Sequence, residues 1–302
     1  MSLRSISVSN SYGSMVIPLN DEDDPELSIV SIDGLGPPES TINISGGPTF
    51  DGGIYNSAKV KSRTISLTLK VGKTGKAGDQ VREKLYRLFP AKGVVTITTT
   101  TDSRVATAVG IVKSNTVNMF SSIQNAVVTL EVPSSFLLAL ETETILYSGT
   151  TPMFTFPFYD NNADAPSLIF GEVFDILEYV VNYTGDVPTG LIFRFDFSGP
   201  VGDITFVNNG YGEIMTIDVD IVAMVMGSPI QAGDRITIDT RSGRKSATLL
   251  RYGTEYNILH ALGRNGTWIR LYPGDNPIVY STESEIYNVS LTIEHETLYE
   301  GV

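Results

Sequence analysis

The chain has 302 residues, 41% hydrophobic and 18% charged, with no cysteine and only two histidines. This is the composition of an ordinary folded protein; it excludes disulfides and thiolate chemistry and leaves few ligands for zinc. The formal net charge of −13 argues against general nucleic-acid binding, which needs a basic footprint.

That charge is unevenly spread. Residues 1–140 hold 13 Lys/Arg and 12 Asp/Glu, whereas residues 141–302 hold 8 and 22, a net of +1 against −14. Such asymmetry fits two domains with different neighbours. The N-terminus, Met1-Ser-Leu-Arg-Ser-Ile, lacks a basic-then-apolar signal pattern, and no run approaches the roughly 18 apolar residues needed to cross a bilayer. The expectation is a soluble protein made in a cytoplasm, without membrane insertion. The 28 Gly and 15 Pro are scattered along the chain, so they read as many turns between short elements, which points to β structure.

In chain order, the first notable feature is the acidic run Asp21, Glu22, Asp23 and Asp24. A calcium loop counted from Asp21 would need Gly at the sixth position and Glu at the twelfth, where Glu26 and Ile32 stand, so a solvated loop is expected. Leu35-Gly-Pro-Pro38, with Phe50 and Tyr55 nearby, forms a stiff apolar stretch that suits either docking or an ordinary buried loop. Ile65, Leu67, Leu69 and Val71 alternate with polar residues, the period of a half-buried strand. Asp79 is placed to cap a helix whose Val81, Leu85, Leu88 and Phe89 share one face and which Pro90 stops. Val94–Thr101 and Ala126–Val132 are further strands. Pro133-Ser-Ser marks a domain boundary near 134–150, beyond which Pro152, Pro157 and Pro166 punctuate an acidic-polar loop, Asp160–Asp164.

The second half continues in the same way. Leu191, Phe193, Phe195 and Phe197 alternate with less apolar residues, and so do Met215, Ile217, Val219 and Ile221. Both read as strands. Ser242-Gly243 turns a hairpin, Pro273-Gly274 fits a type II turn, and a helical turn is expected near Tyr256–Leu262, closed by Gly263. Val289, Leu291 and Ile293 form a last strand. Strands at this spacing without intervening helices predict an antiparallel sandwich.

Candidate chemistry is sparse. Asp218/Asp220 and Glu283/Glu285 are carboxylates two residues apart, each pair expected on one strand face, but nothing else supports a glycosidase site. There is no Gly-x-Ser-x-Gly elbow and no nucleotide loop. His260 is expected in a packed or surface turn, and His295, between Glu294 and Glu296, at an exposed strand position. No catalytic, cofactor-binding or metal-binding residue is assigned. Trp268, the only tryptophan, lies near Tyr272 and Tyr280 in sequence and alternates with Ile269, which keeps open a glycan-stacking role within a carbohydrate-binding adhesion module.

Several segments, taken as an ordered set, resemble phage distal tail proteins. They are Asp33–Ser45, Gly47–Ser57, Arg63–Leu69, Arg82–Pro90, Thr101–Arg104, Phe170–Val173, Gly185–Gly190, Gly233–Ile236, Gly243–Ser246, and Trp268 with Leu271–Asn276 and Tyr280. Ser134-Ser135 departs from the Asp-Pro expected at the linker. The resemblance implies a mainly β, two-domain protein. Residues 1–140 would form a sandwich or barrel-like ring domain with one helix, and 141–302 a jelly-roll or carbohydrate-module-like β-sandwich. It further implies a homo-hexameric ring joining the tail tube protein to the tail-tip hub protein at the virion tail tip, assembled in the bacterial host cytoplasm. DNA would pass through the lumen without specific binding, and the second domain would hold fibre or receptor-binding proteins. On that reading Leu35, Pro37, Pro38, Phe50 and Tyr55 are candidate ring contacts, and Asp21–Asp24 are candidate lumen acids that repel DNA phosphates.

Overall fold

The computed structural model describes residues 3–19, 26–47, 51–73, 75–118, 124–147, 150–152, 171–173, 178–263, 266–283 and 288–302. The fold is mainly β, as the sequence predicts, with two α-helices among the described residues. It divides into two compact units, Met1–Leu140 with Leu298–Val302, and Glu141–Thr297.

The first unit holds β1 (Leu3–Asn10), β2 (Gly13–Pro18), β3 (Leu27–Asp33), β4 (Ser40–Ser45), β5 (Ile54–Val60), β6 (Arg63–Val71), α1 (Gly75–Leu88), β7 (Val94–Thr101), β8 (Val105–Val117), β9 (Gln124–Val132) and the start of β10 (Leu137–Tyr147). Antiparallel pairing runs β2-β1-β7-β8-β9-β6-β3, and the two end strands β2 and β3 approach one another, so the sheet curls toward a barrel. In β6 the inward residues Ile65, Leu67 and Leu69 are fully buried while Thr64, Ser66 and Thr68 point away, as the period of two requires. The apolar face of α1, Val81, Leu85 and Leu88, closes over this core with Phe89.

The helix begins at Gly75, a turn before the expected start. Asp79 therefore lies inside it, paired with Arg82 at i,i+3 instead of capping. The apolar period begins only at Val81, so the polar leading turn gave no signal. Two asparagines satisfy the last carbonyls: Asn10 Nδ2 donates to Arg87 O and Leu88 O, and Asn115 Nδ2 to Leu85 O and Phe89 O.

The second unit contains a short ladder of β11 (Thr150–Pro152) with β12 (Gly171–Val173), then β13 (Glu178–Tyr183), β14 (Thr189–Phe197), β15 (Ile204–Asn208), β16 (Glu213–Ile217), α2 (Val219–Met226), β17 (Arg235–Asp239), β18 (Ser246–Arg251), β19 (Thr254–Asn257), a 3-10 turn (Leu259–Ala261), β20 (Arg270–Leu271), β21 (Gly274–Thr282) and β22 (Val289–Tyr299). One sheet is ordered β13-β21-β15-β16 and the other β19-β18-β17-β14-β22. Phe193 and Phe195 of β14 meet Phe206 of β15 across the sandwich, with ring centroids 4.7 and 5.6 Å apart.

The strand read through Ile221 stops at Ile217: Asp218 accepts from Ile221 N and caps α2, which ends at Gly227 with φ 68°. The alternation of Met215 to Ile221 fits a strand and a helix start equally well. His295 is not exposed but 2% accessible. It shares the inward face of β22 with Leu291 and Ile293 and meets the Tyr183 ring edge-on at 5.7 Å, while its neighbours Glu294 and Glu296 face outward.

Candidate functional site

The most distinctive surface lies between β3 and β6. Asp33 is followed by a loop, Gly34–Glu39, and then by the hairpin β4–β5, which forms its own two-stranded sheet apart from the core. Lys61 N donates to Glu39 O at 2.8 Å and closes the hairpin base.

Along this hairpin the pairs are Ser40↔Val60, Ile42↔Ala58 and Ile44↔Tyr55, with a register shift between Asn43 and Ile44. Unbroken alternation from Val60 and Ala58 would bring Asn56 to the face of Ile42 and Ile44. The shift leaves Asn56 as the extra residue and brings Tyr55 there instead. One face thus carries Ile42, Ile44, Tyr55 and Ala58 in a row. Ile42, Ile44 and Tyr55 are 57%, 60% and 64% exposed, and Ile54 at the far end is 59% exposed. These large apolar side chains form an exposed cluster.

The loop at the hairpin base is held from below by one buried side chain. Arg63 is 3% exposed. Its Nη1 donates to Gly34 O at 2.8 Å and Gly36 O at 2.7 Å; its Nη2 donates to Ser135 O at 3.1 Å and Glu300 O at 2.6 Å. All four acceptors are backbone carbonyls, and burial lowers the guanidinium pKa from its ordinary value. Gly34 has φ 88°, and a Cβ there would sit 2.0 Å from Thr64 O, so no other residue fits the turn. Leu35 packs inward on the core of its own unit, Pro38 is half-buried and Pro37 is exposed.

The other expected residues are dispersed. Tyr55 belongs to the hairpin face, whereas Phe50 and Asp21–Asp24 lie outside the described residues, as do Glu285, Pro157, Pro166 and Asp160–Asp164. Trp268 is half-buried against the second unit's core, with the Lys245 ammonium 5.0 Å from its ring centroid. Tyr272 stacks on Tyr211 at 3.7 Å and donates to Glu213, which also accepts from Arg270. Burial, then the Glu213 hydrogen bond, raise the Tyr272 pKa. Asp218 and Asp220 sit at the start of α2, one capping and one exposed, rather than side by side on a strand. His260 is exposed in the 3-10 turn. Among the described residues there is no group of three or more metal-binding side chains, and no helix is long and apolar enough to cross a membrane.

Sequence reasoning missed Arg63 as a positioning residue and the hairpin as a distinct element. The one available signal was Ile42 and Ile44 alternating with Asn43.

The fold of this chain, a curled β unit with one helix and a hairpin together with a β-sandwich unit, is shared with a solved phage protein. The crystal structure of the phage SPP1 Dit (gp 19.1) protein, described as a paradigm of the hub adsorption apparatus in phages infecting Gram-positive bacteria, has the same fold, with a TM-score of 0.60 at 12% identity over 96% of this chain and 98% of that one. A chain of the phage p2 baseplate, in its activated conformation with strontium, aligns over the whole of both chains at 12% identity with a TM-score of 0.49. No protein-family model and no curated protein matches the sequence.

Proposed function

We propose that this chain is a distal tail protein: a non-enzymatic structural subunit of a phage tail tip. Its first unit assembles by rotation into a six-membered ring that joins the tail tube to the tail-tip hub. The observation that carries the reading is the exposed apolar face of β4–β5. A hairpin with no core of its own is marginal in water, and a two-stranded sheet gains stability by laying such a face on another surface. In a ring the partner is the next copy, through a heterologous contact that closes after a fixed number of subunits. The shared fold with the SPP1 hub protein supports this reading, and so does the ordered set of segments in the sequence that resembles distal tail proteins.

On the same reading, Pro37 and Pro38 border the contact, and Asp21–Asp24 face the lumen, where negative charge keeps passing DNA from sticking. The acidic second unit holds fibre or receptor-binding proteins. Light scattering on the purified full chain tests the ring. The wild type is expected as a hexamer and Ile44→Asp as a monomer with an unchanged circular dichroism spectrum. A wild type that stays monomeric when concentrated, or an Ile44→Asp variant that still forms hexamers, would overturn it.

A further inference from the structure

The last five residues, Leu298–Val302, pack with the first unit although they follow the whole of the second unit in the chain. Their seat is specific. The Tyr299 ring lies under the Arg104 guanidinium, 4.6 Å from ring centroid to Cζ, and Arg104 Nη1 donates to Gly301 O at 3.4 Å. Val302 N donates to Leu35 O at 3.2 Å, and Tyr299 and Val302 pack against the first unit's core. Gly301 passes so close to the loop that an added Cβ would meet Leu35 O at 2.9 Å and Gly36 C at 3.1 Å. The same Arg63 guanidinium that binds Gly34 O and Gly36 O also binds Glu300 O.

We infer that this segment is a strap that fixes the Gly34–Glu39 loop, at the base of the exposed hairpin, in the conformation the neighbouring subunit recognises. This rests on the ring reading above. The physical content is pre-organisation. A loop already held by Arg63 and the strap loses little conformational freedom on docking, whereas a free loop must be ordered as it binds. Because the strap follows the second unit in sequence, the first unit completes its assembly surface only once the second has been synthesised. Truncated chains are thereby kept out of rings.

The test uses the full chain carrying Gly301→Val, whose side chain cannot occupy the seat, and independently Tyr299→Ala, which removes the ring under Arg104 without backbone strain. Hydrogen exchange is read on peptides covering residues 34–39, and oligomeric state by light scattering. Both variants are expected to exchange about ten-fold faster over 34–39, as a locally opened segment does, and to require higher concentration to assemble. The Trp268 fluorescence transition of the second unit should not move. Unchanged exchange over 34–39 in a variant whose residues 298–302 exchange freely would overturn the inference. Should Gly301→Val not fold, Tyr299→Ala decides alone. A wild type that never assembles would sink the ring reading but leave the exchange comparison able to judge the strap. Normal assembly with a released strap would sink the strap and leave the ring standing.

Discussion

Replacing Arg63 by methionine keeps most of the side chain's volume but removes the donors that hold Gly34, Gly36, Ser135 and Glu300 together. Each hydrogen bond from a charged donor contributes roughly 1.5–3 kcal/mol, and a buried acceptor left unpaired costs roughly 1–3 kcal/mol. The bonds to these four acceptors share one guanidinium whose own burial opposes them, as its lowered pKa indicates, so the terms do not add in full. The net loss should be about 4 kcal/mol, a large part of the roughly 5–15 kcal/mol that stabilises a domain. At roughly 2–4 °C per kcal/mol for a domain of this size, the first unit's melting point should fall by about 10 °C. Trp268 is the only tryptophan and belongs to the second unit, so its fluorescence follows that unit alone. Circular dichroism should show an early transition that fluorescence does not. Arg63→Lys, which keeps the charge but not the fork, should recover only a minor part. Coincident, unshifted transitions in Arg63→Met would refute the reasoning.

Three further outcomes follow from the packing and the charges. Gly34→Ala forces a Cβ against Thr64 O and a strained φ, and should destabilise the first unit by roughly 1–3 kcal/mol or more, measured by urea unfolding followed by circular dichroism. Phe206→Ala opens a cavity between Phe193 and Phe195 and should lower the second unit's stability by roughly 3–5 kcal/mol, measured by Trp268 fluorescence. Burial pushes the Asp239 carboxyl up, but the side-chain and backbone hydrogen bonds from Arg241 outweigh this and hold its pKa below the ordinary value. Its stabilising effect is therefore present above the unfolded pKa and is lost as pH falls through the lower folded one. Asp239→Asn should be less stable than wild type at pH 7, with the gap narrowing below about pH 4 in acid titrations.

What the sequence disclosed follows from which signals are local. The strands around Leu67, Val128 and Phe195 were readable because alternation is written in consecutive residues, and β18 because Ser242-Gly243 announces its turn. The helix α2 hid behind an alternation that continued past its cap, although Asp218 before it and Gly227 after it bracket a short helix. His295 was misread from its two charged neighbours, when Ile293 and Leu291, two and four residues back, set its face. Arg63 had no local signature at all. Its four acceptors come from residues 34, 36, 135 and 300, and a buried arginine bound only by carbonyls looks in sequence like any strand-start cation. The hairpin face was concealed by a register shift, since only the three-dimensional pairing reveals that Tyr55 and not Asn56 joins Ile42 and Ile44.

The most direct test of the account places a photo-reactive phenylalanine analogue at Tyr55 in the full chain, with Tyr211, an exposed tyrosine of the second unit, as the control. Irradiation of the Tyr55-labelled protein should give a cross-linked ladder that rises from dimer and ends at six copies, while the Tyr211-labelled protein gives none. Only monomers from Tyr55, or ladders of equal extent from both positions, would contradict a ring built through this hairpin.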